Sequence, residues 1–280
     1  MAKEDKVRTT DFRKMKKEGR KITMLTAYDY NTARIQDEAG VDSILIGDSL
    51  GMVMLGYENT LPVTIDEILH HTKAVVRGTK RALVIADMPF MSFQVSPEKT
   101  VENAGRFLKE GGATAVKLEG GREVLPQTRA LMAAGIPVLG HLGLTPQSIH
   151  QMGGFKVQGK VLAQAEKLVE DAKLLEEAGV FGIVLECIPA PLAEKVSQSL
   201  SVPTIGIGAG KGCDGQVLVA HDLLGLSGDF SPRFVRRYAD LGEEMQKAFS
   251  RYLSEVRSGE FPGEKESFSM DEETLKKIYG

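Results

Sequence analysis

The sequence predicts a (β/α)8 barrel, and three observations carry the prediction. A short unit recurs: a helix-like segment closing on Gly, a brief connection, then an uninterrupted apolar run. Glu38–Asp48 (EAGVDSILIGD), Glu110–Glu119 (EGGATAVKLE), Ala133–His141 (AAGIPVLGH) and Glu177–Glu186 (EAGVFGIVLE) all follow it, and Arg81–Pro89 (RALVIADMP) repeats it after Gly78. Gly is favoured just past a helix end because it tolerates the left-handed conformation. A continuous apolar run suits a parallel strand covered on both faces. Second, eight such runs with crossovers fit a chain of 280 residues, near the ~250 typical of such barrels. Third, the ionisable residues that end the runs are spread along the chain. A doubly wound open sheet, the competing arrangement, gathers its site at one switch point.

The elements follow in order. Asp11–Gly19 is basic and short, a helix expected to cover the bottom of the barrel within an N-terminal cap of residues 1–20. The first strand is expected at Ile22–Thr26, and Asp29 reads as the cap of a helix over Tyr30–Ala39. Ile44–Gly47 is the second strand, Ile65–Arg77 the helix that ends at Gly78, and Leu83–Ala86 the third strand. Helices over Glu98–Glu110 and Leu125–Ala134 flank a strand at Ala115–Leu118, with the next strand at Pro137–Gly140. Lys160–Ala178 and Leu192–Ser199 then alternate with strands at Gly182–Leu185, Pro203–Gly208 and Val217–Ala220. Phe234–Val256 reads as a long final helix interrupted early by Gly242. In the tail, residues 258–280, Ser269-x-x-Glu272 has the spacing of a capping box. With no linker or low-complexity tract, residues 1–280 are expected to form one domain.

Hydrophobic residues make up 42% and charged residues 26% of the chain, the balance of an ordinary globular protein. A net charge of −3 gives no support to nucleic-acid binding, which favours a basic surface. No window approaches the ~20 apolar residues of a membrane span. The polar start lacks the apolar stretch of a secretory signal. Cys187 and Cys213 belong to no paired-cysteine motif, so free thiols in a reducing cytoplasm are expected.

In a barrel every strand's C-terminal end opens onto one mouth. Asp48, Asp87, Lys117, Glu119, His141 and Glu186 would converge there. Four carboxylates and one ammonium in a partly dry cavity call for a further cation, because like charges that close repel by several kcal/mol. Carboxylate oxygens suit Mg²⁺ or Mn²⁺, and no paired Cys or closely spaced His offers a zinc site. Asp48 would hold the metal, with Ser49 donating to an anion beside it. Plainer roles compete. Asp48 and Asp87 are placed to cap helices, Lys117 and Glu119 lie two apart on one face and so can pair, and His141 can satisfy loop backbone. His70 and His71 are sequential and point apart, which disfavours a shared metal. In Thr204–Gly215 (TIGIGAGKGCDG), the alternating Gly206, Gly208 and Gly210 suit either a phosphate cradle or close approach to packing partners or a flat ligand.

LTAYD (25–29), ILIGDSLGMV (44–53), ADMPF (86–90), VKLEGG (116–121), PVLGHLGLTPQS (137–148), VLEC (184–187) and IGIGAGKGCDGQVLV (205–219) resemble the ketopantoate hydroxymethyltransferase family, from about Lys6 to Gly263. The resemblance implies a (β/α)8 TIM barrel of the phosphoenolpyruvate/pyruvate-type superfamily, with an N-terminal helix and a C-terminal helical extension. It implies transfer of a hydroxymethyl group from 5,10-methylenetetrahydrofolate, the co-substrate, to 3-methyl-2-oxobutanoate. The product would be 2-dehydropantoate, on the route to pantothenate and coenzyme A. Carried over by motif, Asp48 and Asp87 would be Mg²⁺ ligands, one ion per subunit, with Glu119 a further or water-mediated partner. Asp48, Ser49, Asp87 and Lys117 would bind the keto acid, Glu186 would be the base, and His141 would line the site. A Lewis-acid metal would stabilise the enolate left when Glu186 removes the proton. The resemblance further implies a cytoplasmic homodecamer acting on small molecules. A related Mg²⁺-dependent enzyme of the isocitrate lyase/phosphonomutase type, acting on an α-keto acid without folate, is the alternative.

Overall fold

The computed structural model describes residues 5–228 and 232–279, so the first four residues of the expected N-terminal cap lie outside the described residues. Eight strands, β1 (Ile22–Thr26), β2 (Ser43–Ile46), β3 (Leu83–Asp87), β4 (Ala115–Glu119), β5 (Val138–Gly143), β6 (Gly182–Glu186), β7 (Thr204–Ile207) and β8 (Gly215–Leu218), form a closed barrel. Every neighbouring pair is parallel, and β1 closes on β8 through Met24 opposite Val217. The open-sheet alternative is thereby excluded.

The helices, in chain order, are α1 (Thr9–Lys17), α2 (Tyr30–Glu38), α3 (Leu50–Val53), α4 (Ile65–Gly78), α5 (Pro97–Lys109), α6 (Leu125–Ala133), α7 (Ile149–Met152), α8 (Leu162–Glu177), α9 (Ala190–Ser199), α10 (Ala220–Leu223), α11 (Leu241–Ser258) and α12 (Glu272–Tyr279). Local chemistry sets their starts. Asp29 caps α2, Ser96 caps α5 with Pro97 behind it, and Thr64 with Glu67 forms a capping box on α4. The short α3, α7 and α10, in the connections that follow β2, β5 and β8, were not expected from periodicity.

Two apolar layers result. The outer one packs strands against helices, through residues such as Ile44, Ile68, Phe107 and Val138. The inner one fills the barrel with Met24, Leu45, Ile85, Leu139 and Val184 and is plugged from below by Phe12 of α1. Phe12 meets Phe181 edge to face, with ring centroids 5.4 Å apart, and Lys16 ties α1 to the barrel base through Ser197 O, Val202 O and Asp214. The bottom is thus closed, as expected from the basic N-terminal segment.

Several boundaries differ from expectation: β5 runs on to Gly143, α9 begins at Ala190, α8 at Leu162 and α1 at Thr9, and three further differences have a local cause. The eighth strand is Gly215–Leu218, two residues earlier than Val217–Ala220. Gly215 pairs with Ile22, and a Cβ there would run into the Ile22 carbonyl, so the strand starts on a glycine that the close approach requires. The final helix begins at Leu241 and not Phe234, because Asp240 caps it. The last helix is capped by Asp271, which accepts from Thr274 N at 2.8 Å; it does not begin with the Ser269 box.

Candidate active site

Alternation along the strands builds the site. Residues two apart share a face, so the interior layer of Ile85, Ala115, Leu139 and Val184 continues upward as Asp87, Lys117 then Glu119, His141, and Glu186. Register places Asp87 beside Lys117 and Glu119 beside His141. Asp48 and Ser49 join them from the turn after β2. All seven line one cavity of about 750 Å³ at the strands' C-terminal ends.

Lys117 is the hub. Its Nζ lies 3.0 Å from Asp87 Oδ1, 3.7 Å from Glu119 Oε1 and 3.2 Å from His141 Nδ1. His141 Nδ1 is 3.4 Å from Glu119, and its Nε2 is 3.3 Å from Glu186 Oε2. The Asp48 N–H donates to Asp87 Oδ2 at 3.1 Å. Side chains of Asp87, Lys117, Glu119 and His141 are between 1% and 5% exposed, whereas Glu186 is 17% exposed. Glu186 is therefore the acid of this group that a ligand in the cavity reaches most readily.

These charges perturb one another. Burial, then the Asp87 and Glu119 charges, push Asp48 well above the usual carboxylate range. Burial also raises Asp87 against the opposing Lys117. For Glu119 burial acts upward too, but Lys117 and His141 outweigh it and hold the group low. Burial works against the charge on Lys117, yet Asp87, Glu119 and Asp48 together keep it protonated. Burial and Lys117 likewise oppose protonation of His141, but Glu119 and Glu186 prevail and lift it to about 9.

The plainer roles can now be separated. Asp29 is a cap, accepting from Thr32 N at 2.9 Å, and His71 Nδ1 lies 2.6 Å from Tyr28 O. Asp48 caps nothing, and Ser49 at the start of α3 makes no side-chain capping bond. The glycines in and after β7 lie against protein atoms: a Cβ on Gly206 would press on Cys213, one on Gly208 on Phe234, and one on Gly210 on Ala190. Each of the three thus lies close against a protein neighbour. Cys187 and Cys213 are free thiols.

Two residues were not foreseen. Tyr28, buried against the mouth, shares a 2.8 Å hydrogen bond with Ser49 Oγ. Gln147 donates through Nε2 to Asp48 Oδ2 and Met88 O, both at 2.9 Å, and through its backbone N–H to Glu119 Oε2 at 3.0 Å. The only sequence signal was position: each follows a strand end within a quoted motif, Tyr28 in LTAYD and Gln147 in LTPQ.

The donor set suits a hard divalent cation. Asp87 Oδ1 and Glu119 Oε1 are buried and accept no geometrically sound hydrogen bond among the described residues. Lys117 and His141 are the cations beside them, fewer than the four carboxylates of the mouth, and buried anions need charge compensation. Among the described residues no three His, Cys, Asp or Glu side chains are gathered as a ready-made metal cage. That argues against a closed zinc-type site. It is compatible with Mg²⁺, which takes one or two carboxylates and completes its shell with water and substrate oxygens.

Fold and site together define a (β/α)8-barrel enzyme whose mouth gathers buried carboxylates around one lysine. Solved structures of similar fold include 2,3-dimethylmalate lyase, a PEP mutase/isocitrate lyase superfamily member (TM-score 0.59, 17% identity, covering 97% of this chain and 94% of that one). Another is the phosphoenolpyruvate phosphomutase of Streptomyces platensis subsp. rosaceus (TM-score 0.60, 12% identity, 97% and 93% covered). At that identity they speak to fold alone. The family model for ketopantoate hydroxymethyltransferase matches residues 6–264, and the chain belongs to that family. It is 59% identical over 270 residues to the 3-methyl-2-oxobutanoate hydroxymethyltransferase of Clostridium novyi (strain NT), covering 96% of this chain and 98% of that protein. It is 57% identical over 275 residues to the one from Carboxydothermus hydrogenoformans, covering 98% and 100%.

Proposed function

We propose that this enzyme transfers a hydroxymethyl group from 5,10-methylenetetrahydrofolate to 3-methyl-2-oxobutanoate, giving 2-dehydropantoate. The observation that carries the reading is the convergence of Asp48, Asp87, Lys117, Glu119 and Glu186 on one cavity in a chain of this family. Asp48 and Asp87 hold Mg²⁺, with Glu119 a further or water-mediated ligand. Bound there, the ion supplies Lewis acidity to the keto acid. Asp48, Ser49, Asp87 and Lys117 form the keto-acid subsite, in which Lys117 brings positive charge to the developing enolate oxygen. The Ser49 hydroxyl, oriented by Tyr28, donates to the substrate carboxylate. Glu186 takes the proton from C3, and His141, within 3.3 Å, orients it. The carbanion forms the new C–C bond to the folate's methylene carbon as one of its two C–N bonds opens, that nitrogen taking up a proton. Water then replaces the second C–N bond, leaving its hydroxyl on the transferred carbon and its proton on the departing tetrahydrofolate.

The cavity is larger than the keto acid requires. Its outer wall carries Phe155, Val157 and Phe234, with Lys156 and Arg233 at hand for carboxylates. An apolar wall for a pterin and cations for its acidic tail support the folate reading. Assembly into a homodecamer in the cytoplasm completes the proposal. It is supported by a long helix, α11, with no buried residue and by two free thiols; no helix among the described residues is long and apolar enough to cross a membrane. The direct test is product formation with Mg²⁺, keto acid and the folate. Turnover should vanish without folate and with excess chelator. Keto-acid turnover that continues without folate would instead favour the lyase or phosphonomutase type.

A further inference from the structure

Gln147 stands in the single turn Pro146–Ser148 after β5 and is 5% exposed. Every polar group of its side chain is committed. Both amide hydrogens are used, toward Asp48 Oδ2 and Met88 O, and Oε1 accepts from Gln94 Nε2 at 3.3 Å. This pattern fixes the amide's orientation. Turned over, Oε1 would face a carboxylate and a carbonyl, two acceptors without a proton between them. The backbone is equally committed, its N–H to Glu119 Oε2 and the turn closed by Ser148 N to Thr145 O at 2.8 Å. Pro146 fixes φ just before Gln147 and so limits the turn's freedom.

One residue thus reaches the ends of three other strands: Asp48 after β2, Met88 next to Asp87 after β3, and Glu119 at the end of β4. We propose that Gln147 is a positioning residue that holds Asp48 and Glu119 apart and aimed, so that one oxygen of each stays available to a divalent cation. The inference rests on reading Asp48 as a metal ligand. It goes further by assigning the ligand geometry to a residue outside the ligand set. Gln147 occupies Asp48 Oδ2, and among the described residues no hydrogen bond is made to Asp48 Oδ1. It occupies Glu119 Oε2, and Oε1 accepts no geometrically sound hydrogen bond among the described residues, its neighbours being His141 Nδ1 at 3.4 Å and Lys117 Nζ at 3.7 Å. Without this tether, Asp48 is free to turn toward the positive charge of Lys117, and Glu119 to turn Oε2 as well as Oε1 toward Lys117 and His141. Their oxygens would then be lost to the cation.

The plain alternative is that Gln147 only closes the loop after β5. Gln147→Met keeps volume and the backbone bond to Glu119 but removes the tether to Asp48. Mn²⁺ binding to the purified protein, measured by electron paramagnetic resonance without substrate, should weaken by about 10- to 100-fold, the usual scale for residues that orient metal ligands. The margin by which Mg²⁺ outcompetes Ca²⁺ for the same site should also shrink, because a loosened ligand pair no longer excludes the larger ion. Melting curves recorded alongside show whether the fold survives. Gln147→Asn, which keeps an amide but falls one methylene short of Asp48, repeats the test if Met disturbs packing. Wild-type Mn²⁺ affinity and ion preference in a folded variant would overturn the inference, even if its melting temperature falls. Asp48→Asn serves as the reference: wild-type Mn²⁺ affinity there would sink the metal-site reading itself, and this inference with it.

Discussion

Lys117 and His141 balance four carboxylates at the barrel mouth, and that balance has a measurable consequence for His141. Its pKa in the folded chain, about 9, lies above its ordinary value of 6.5. A base raised on folding adds stability that is fully present below 6.5 and is lost as pH rises through 9. The contribution is roughly 3 kcal/mol at its largest, from about 1.4 kcal/mol per pKa unit. The metal-free protein should therefore melt at a lower temperature at pH 9.5 than at pH 7, and His141→Gln should flatten that dependence. Equal slopes for variant and wild type would contradict the assignment. At this scale the sequence was readable where a single strand sufficed. Asp48, Asp87, Lys117, Glu119, His141 and Glu186 each end an apolar run, so each revealed itself locally. Gln147 did not, because its meaning depends on three other strand ends meeting it, and nothing in Thr145-Pro146-Gln147 encodes that meeting.

Among the elements, the tightest joint is between β5 and β6. Gly143, at φ +97°, lies opposite Glu186 in the register, and a Cβ there would collide with the Glu186 carbonyl. Leu144 N then donates to that same carbonyl at 2.8 Å. The proposed base is thus held by a backbone contact that tolerates no side chain. Gly143→Ala should cost on the order of 3 kcal/mol, left-handed strain plus steric displacement. Chemical denaturation reads that loss, and an unchanged midpoint would show that the joint yields. Immediately beyond, Cys187 adopts φ +47°, unusual for a residue with a side chain, and its thiol is pushed up to about 11, first by burial and then by Glu186. The strands were legible because buried parallel strands write themselves as apolar runs. The exceptions have separate causes: Gly215 has no side chain to mark it as strand, whereas Phe234–Ala239 carries enough apolar residues to resemble helix and Phe234 in fact packs on Gly208.

Among the described residues, the barrel leaves the apolar stripe of α11 uncovered. Along α11, Met245, Phe249, Tyr252, Leu253 and Val256 recur at helical spacing and are 44–60% exposed. The opposite side carries ion pairs such as Lys247–Glu243 and Arg251–Glu255, each at 2.6 Å. An amphipathic helix of this length normally buries its apolar stripe. Assembly of like chains would cover it. Phe249→Glu combined with Leu253→Glu should shift sedimentation to a lighter species, whereas unchanged sedimentation would remove α11 from the interface.

The central claim is that Glu186, placed beside the buried carboxylates yet open to the cavity, removes the C3 proton of the keto acid. Proton removal precedes one-carbon transfer, so the enzyme with Mg²⁺ and 3-methyl-2-oxobutanoate, but no folate, should exchange the C3 hydrogen with deuterated water. Glu186→Gln keeps size and polarity but cannot accept the proton. NMR of the C3 position should show exchange slowed by about 10²-fold or more, while calorimetry shows Mg²⁺ and keto acid still bound. Near wild-type exchange by a folded, substrate-binding Glu186→Gln protein would contradict the account.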